Sequence, residues 1–255
     1  MTDGTDRKRA AAASFGVAAD AYLDSDVHRR GADLDRLASW CRGATSALDV
    51  ATGAGHTAGA VAEAGVSRVV ATDASPAMVA TAEEAFDGVE GAVADAERLP
   101  FAADAFDAVT CRIAAHHFPA PRAFVDEVAR VLAPAGTFAL EDNVAPEDAD
   151  LGEFLNRVEG LRDPTHVESY TTAQWHDWLA DAGFDVRETV TMKKTLAFDP
   201  WVEAQSLSDA ERDRVERLLL EASDEATELF EIRVEDGSVE SFANLKALVR
   251  ATPAG

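Results

Sequence analysis

Between Ser46 and Glu141 short apolar runs alternate with segments whose apolar residues recur at helical spacing. The runs are Ala47 to Ala51, Val69 to Thr72, Val89 to Ala94, Ala108 to Ile113 and Thr137 to Leu140. Thr57 to Ala64, Pro76 to Phe86 and Pro121 to Leu132 lie between them and carry the helical period. Strands interleaved with helices predict βαβ units and a mostly parallel sheet, an α/β fold. Local chemistry agrees: Ser75-Pro76 offers an N-cap followed by an N1 proline, and Pro134 with Gly136 stops the helix ending near Leu132.

After Glu141 the pattern changes. An acidic linker, Pro146 to Asp150, leads into Leu151 to Leu161 at helical spacing and then the breaker Asp163-Pro164. Thr171 to Gln174 and Ser208 to Glu211 fit capping boxes, which open helices over Trp175 to Ala182 and Asp209 to Phe230. Phe184 to Phe198 reads as a strand, Asp236-Gly237 as a turn, and Leu245 to Val249 as a last strand.

Composition narrows the partners. The 255 residues are 47% hydrophobic, enough for one main core with additions. A formal net charge of -24 excludes duplex nucleic acid and anionic membrane surfaces, which require clustered Lys and Arg. The only lysines are Lys8, Lys193, Lys194 and Lys246, and the acids are scattered among alanines, as in halophilic proteins whose solvated acidic surface preserves solubility. Cys41 and Cys111 are too few for a disulfide framework. No signal-like leader and no apolar run near the ~18 residues of a membrane span is visible, so a cytoplasmic protein without integral membrane contact is expected.

The stretch LDVATGAGHTA, residues 48 to 58, ends a strand at Asp49 and then uses Gly53 and Gly55 to turn the backbone tightly before a helix. The next strand ends in Asp73, where a carboxylate can accept hydrogen bonds from both ribose hydroxyls of a nucleotide. A third strand ends in ADAERLPF, which puts Asp95 within reach of an adenine amino group. Each has a plainer alternative: Asp49 caps the turn, Asp73 N-caps the helix at Pro76, and Met78 is core.

With these residues the chain resembles the class I S-adenosylmethionine-dependent methyltransferases, in the branch of ubiquinone and menaquinone biosynthesis. The resemblance rests on LDVATGAGHTA, VVATDASPAMVATA (69 to 82), ADAERLPF (94 to 101), AFDAVTCRIAAHHF (105 to 118) and RVLAPAGTF (130 to 138). It implies a Rossmann-like fold: a mostly parallel seven-stranded sheet flanked by helices, with an N-terminal cap and a helical lid insertion. The implied segments are a cap over 1–39, an S-adenosylmethionine-binding core over 40–143, a lid over 144–183, and C-terminal strands and helix over 184–255. The cofactor implied is S-adenosyl-L-methionine and the partner a small-molecule methyl acceptor. Asp49, Ala51, Thr52, Gly53 and Gly55 would then face the methionine part of the cofactor, Asp73 the ribose, and Ala74, Met78, Asp95 and Ala96 the adenine. Arg112 and Ile113 would lie near the cofactor, and Tyr22 and His28 of the cap are further candidate contacts. Ala51 departs from the glycine that many members have there.

A sulfonium methyl is already activated, so the protein has mainly to align the acceptor in line and exclude water. A hydroxyl or amine acceptor also needs a base, for which His116 and His117 are candidates, His116 being the favoured acceptor contact. Arg162, His166 and Tyr170 of the lid are candidate substrate residues. No metal is expected: Cys111 followed by His116 and His117 lacks a fourth ligand at usual zinc spacing. A nicotinamide-dependent oxidoreductase shares the glycine turn and ribose acid, but normally has G-x-G-x-x-G directly after the strand and lacks the third acid. A non-catalytic nucleoside-binding protein of the same fold is the remaining reading.

Overall fold

The computed structural model describes residues 4–17, 23, 29–205 and 207–255, so Tyr22 and His28 lie outside the described residues. Strand β1 (Ser46–Val50), buried from Ala47 onward, pairs in parallel with β2 (Arg68–Asp73) on one side and β4 (Phe106–Arg112) on the other. β3 (Val89–Val93) continues the parallel sheet beyond β2, and β5 (Leu132–Asn143) beyond β4. Parallel strands covered on both faces read as continuous apolar runs, which is why they were visible in the sequence.

Helices α1 (Gly4–Val17), α2 (Ala32–Trp40), α3 (His56–Glu63), α4 (Pro76–Ala85) and α5 (Pro121–Val131) accompany these strands. Much of the core between them is alanine and valine, whose small side chains let helix and sheet approach closely: Ala58, Val61, Ala71, Ala82 and Ala108 are all buried in one cluster. At Gly59 of α3 a Cβ would come within 2.2 Å of the Phe86 ring, so only hydrogen fits. α5 turns an apolar stripe of Phe124, Val125, Val128 and Val131 inward and ends directly in Leu132. Pro134 and Gly136, expected to stop that helix, lie inside β5, which starts earlier than Thr137 and runs past Leu140.

The remaining elements are α6 (Ala149–Arg162), α7 (Thr172–Asp181), β6 (Phe184–Ala197), α8 (Phe198–Glu203), α9 (Asp209–Leu220), α10 (Asp224–Leu229), β7 (Arg233–Glu235) and β8 (Ser238–Pro253). The expected capping boxes form: Thr171 Oγ accepts from Gln174 N at 3.1 Å, and Ser208 and Glu211 satisfy each other's backbone N–H groups. The single helix expected over Asp209 to Phe230 is two, because Ser223 caps a new start by accepting from Ala226 N at 3.1 Å. The strand order is β3-β2-β1-β4-β5-β8-β6, seven strands, with β7 added as a hairpin partner of β8.

Two compact units are distinguished. The first comprises Met1–Asp142, His176–Val190 and Leu248–Gly255; the second comprises Asn143–Trp175 and Thr191–Ala247. The second thus draws on both the segment expected to form a lid and the C-terminal region. Its core packs Leu155 and Val158 of α6 with Phe198 and Trp201 of α8, Val215 and Leu219 of α9, and Phe230 and Phe242.

Candidate functional site

In the first unit a cavity of about 150 Å³ opens at the carboxyl ends of β1, β2 and β4, the edge at which open α/β sheets bind ligands. The turn after β1 forms one wall with Ala51, Thr52 and Gly53. Its backbone enters the left-handed region at Ala51 (φ 53°), Gly53 (φ 54°) and Gly55 (φ 92°). Glycine adopts this freely, whereas alanine at 51 costs roughly 1 kcal/mol.

Asp73 fastens this turn. Its Oδ2 accepts from Gly53 N at 3.0 Å and its Oδ1 from Ser75 N at 2.9 Å. The cap of α4 comes instead from Ser75, whose Oγ accepts from Met78 N at 3.5 Å, so the carboxylate of Asp73 faces the cavity with Ala74 beside it. Burial pushes the Asp73 pKa up, against the pull of the N–H groups it accepts from. Met78 is both core and wall: it is 1% exposed and still lines the cavity. Asp95 and Ala96, following β3, complete this side.

Asp49 and Gly55 stand behind the wall. Asp49 is buried and accepts from Thr52 Oγ1 and Thr110 Oγ1, each at 2.6 Å. Burial raises its pKa to about 6, although the two hydroxyls pull the other way. Gly55 N-caps α3, and a Cβ there would sit 2.7 Å from Ala82 Cβ of α4.

The end of β4 supplies Arg112 and Ile113. The buried Arg112 guanidinium donates from Nε to Glu141 Oε2 at 2.7 Å and from Nη2 to Asp33 Oδ2 at 2.8 Å. Burial alone would lower its pKa, but the two carboxylates hold it above the usual arginine value. Ile113 lies at φ 54°, a left-handed conformation that a β-branched side chain adopts only under constraint. Its N–H donating to Glu141 O at 2.7 Å is part of that constraint.

Beyond it a 3₁₀ turn, Ala115–His117, presents the histidine pair. His116 is buried, with Nδ1 at 2.6 Å from Asp142 Oδ1. His117 lies on the cavity wall, its ring 4.1 Å from that of His116 and edge-on to Phe15 at 5.0 Å. The histidine nominated first by sequence is therefore the inner one, and its neighbour lines the cavity. Lys8, Phe15, His56 and Glu97 also line the cavity and were not nominated. For Lys8 and Phe15 the signal is spatial, since α1 is distant in sequence from the strand ends, whereas His56 and Glu97 lie within the stretches LDVATGAGHTA and ADAERLPF, next to Gly55 and two residues after Asp95.

Arg162, His166 and Tyr170 belong to the second unit and have partners there. Arg162 Nε donates to Trp201 O at 3.1 Å, with its guanidinium 4.8 Å over the Trp201 ring. His166 Nε2 lies 2.9 Å from Asn156 Oδ1, and the buried Tyr170 meets Trp175 edge-on. Among the described residues no group of three His, Cys, Asp or Glu side chains is arranged to hold a metal, and no helix is long and apolar enough to cross a membrane. Cys111 is buried in β4, its thiol pKa raised well above the ordinary value by burial.

Residues 48–140 match a family model described as a methyltransferase domain. Over 243 residues, 92% of the chain and 95% of the relative, it is 35% identical to the uncharacterized methyltransferase YcgJ of Bacillus subtilis. A demethylmenaquinone methyltransferase of Clavibacter sepedonicus is 40% identical over 96 residues, 36% of this chain and 39% of that one. The crystal structure of a candidate methyltransferase from Bacillus halodurans superimposes with a TM-score of 0.84 at 36% identity, covering 88% of this chain and all (100%) of that one.

Proposed function

Since the chain belongs to the class I methyltransferase family, we propose that it transfers the methyl group of S-adenosylmethionine to a small-molecule acceptor. The observation that carries the reading is the convergence of three strand ends on one cavity: the glycine turn, Asp73 with Ala74, and Asp95 with Ala96. Asp73 would accept from the ribose hydroxyls, since its two oxygens each retain lone-pair capacity beyond the backbone N–H they already engage. Asp95 and Ala96 would meet the adenine edge, Met78 its face, and Ala51 to Gly53 with Arg112 and Ile113 the methionine portion. The cofactor supplies a sulfonium-activated methyl group; the protein's share is alignment and exclusion of water.

His117 is the residue assigned to the acceptor's proton when the acceptor is a hydroxyl or amine, because it lines the cavity where β4 ends. Asp142 acts behind it, holding His116 and thereby the turn that carries both histidines. Tyr22 and His28 remain candidate cofactor contacts, and Arg162, His166 and Tyr170 candidate acceptor contacts.

Calorimetric titration of the full chain with S-adenosylmethionine, S-adenosylhomocysteine and NAD at high salt tests the reading. Both sulfur nucleosides are expected to bind, and Asp73→Ala to weaken them by at least about tenfold, the loss of one or two charge-assisted hydrogen bonds. Binding of NAD alone would overturn the proposal.

A further inference from the structure

We infer that Lys8 is a positioning residue of the nucleoside end of the cavity, latching helix α1 over it through Asp95 and Glu97; this rests on the cavity being an S-adenosylmethionine site. Lys8 Nζ lies 2.9 and 2.7 Å from the two oxygens of Asp95 and also pairs with Glu97. In a chain with many more acids than bases a lysine finds carboxylates easily, so the ion pair alone says little. What distinguishes this one is where its partners are fixed and what its helix covers.

Both acids are anchored to the scaffold. Asp95 Oδ1 accepts from Glu97 N at 3.0 Å, Asp95 O closes a turn with Arg98 N at 2.9 Å, and Glu97 Oε1 accepts from Ala120 N at 2.7 Å. Lys8 is attached only through α1. Its cavity-lining companions are Ala11, Ala12 and Phe15, the positions i+3, i+4 and i+7 from Lys8, so a single helix face looks into the site. At the far end of that face Phe15 meets His117, and Gly16 passes so close to Ser75 that a Cβ would fall 2.8 Å from Ser75 Oγ. Helix α1 therefore lies along the cavity with an apolar contact at one end and an ion pair at the other.

The apolar side chains that α1 turns to the cavity are two alanine methyls and one phenylalanine, and the ion pair adds a second kind of hold at the other end of that face. Pairing also leaves room for a ligand. A carboxylate offers about four acceptor positions. Asp95 uses three, two for Lys8 and one for Glu97 N, and the fourth remains for an exocyclic amino group. Closure and nucleoside binding are then mutually reinforcing: whatever holds α1 down over the ligand tightens its binding, and by the same linkage bound ligand protects α1.

The test uses the full-length wild type, Lys8→Gln and Lys8→Arg, with S-adenosylhomocysteine as probe. Its dissociation rate is measured by displacement in low and in molar potassium chloride, and hydrogen exchange is followed over residues 4–17. Lys8→Gln should release the probe roughly twofold to fivefold faster at low salt, the range for a partly exposed ion pair. Lys8→Arg should restore the slow rate, and the gap should narrow at molar salt as the pair is screened. Ligand-induced protection of residues 4–17 should diminish in Lys8→Gln. Equal release rates and equal protection in wild type and Lys8→Gln would overturn the latch alone. A wild type that fails to bind S-adenosylhomocysteine would overturn the cofactor reading as well.

Discussion

Asp49 is a buried carboxylate whose removal should stabilise the protein. Burial raises its pKa from 3.8 to about 6, so the folded state resists ionising it more than the unfolded chain does. A folded pKa above the unfolded value means that the stabilisation is complete below about pH 3.8 and is lost as pH rises through about 6. At about 1.36 kcal/mol per pH unit the interval amounts to about 3 kcal/mol lost by neutral pH. Asp49→Asn keeps the shape and escapes this loss: its carbonyl accepts from Thr110, and its amide donates to Thr52, whose hydroxyl turns to accept. Denaturant unfolding of the two proteins at one salt concentration, from about pH 4 to about pH 8, isolates the effect, because every other acid cancels in the difference. The variant's advantage should grow from near zero at the acidic end to about 3 kcal/mol above neutrality. A difference that stays constant across the range would refute the argument.

Ala51→Gly should raise the unfolding free energy by about 0.5 kcal/mol or slightly more, read as a higher denaturant midpoint, relief of the left-handed alanine exceeding the glycine entropy cost; an unchanged midpoint would count against the strain. Gly55→Ala has the opposite sign, since its methyl would collide with Ala82 Cβ and Cα at 2.7 and 2.8 Å; thermal unfolding should show a loss of at least about 2 kcal/mol.

The wall of the cavity built from the ends of β1 to β3 was legible because its residues are encoded locally. Asp73 and Gly53 meet where parallel strands end, and the strand ends could be counted from apolar runs. Arg112 was nominated but its partners were not, since Asp33 and Glu141 reach it from a helix and a strand far along the chain. The histidine pair shows the limit of a one-dimensional reading: in a 3₁₀ turn two consecutive side chains point in different directions, and nothing local says which faces the cavity. The division of the helix expected over Asp209 to Phe230 was written in Ser223, a cap signal hidden within an otherwise continuous helical pattern. The extent of β5 was misjudged because Pro134 and Gly136 read as a helix stop when the chain had already entered the strand.

The strand order has a consequence for synthesis. β1 to β5 are complete by residue 143 and form a contiguous parallel block, so they can pair while the chain is still being made. β6 cannot join them, because the place between β5 and β6 belongs to β8, made last of the strands. Until residues 238–253 emerge, the edges of β5 and β6 that β8 will cover both stay unpaired, and unpaired edges template association between chains. The interval between translation of residue 143 and residue 253 is the period in which a crowded ribosome is most exposed to mispairing, and a ribosome pause in that interval would lengthen it.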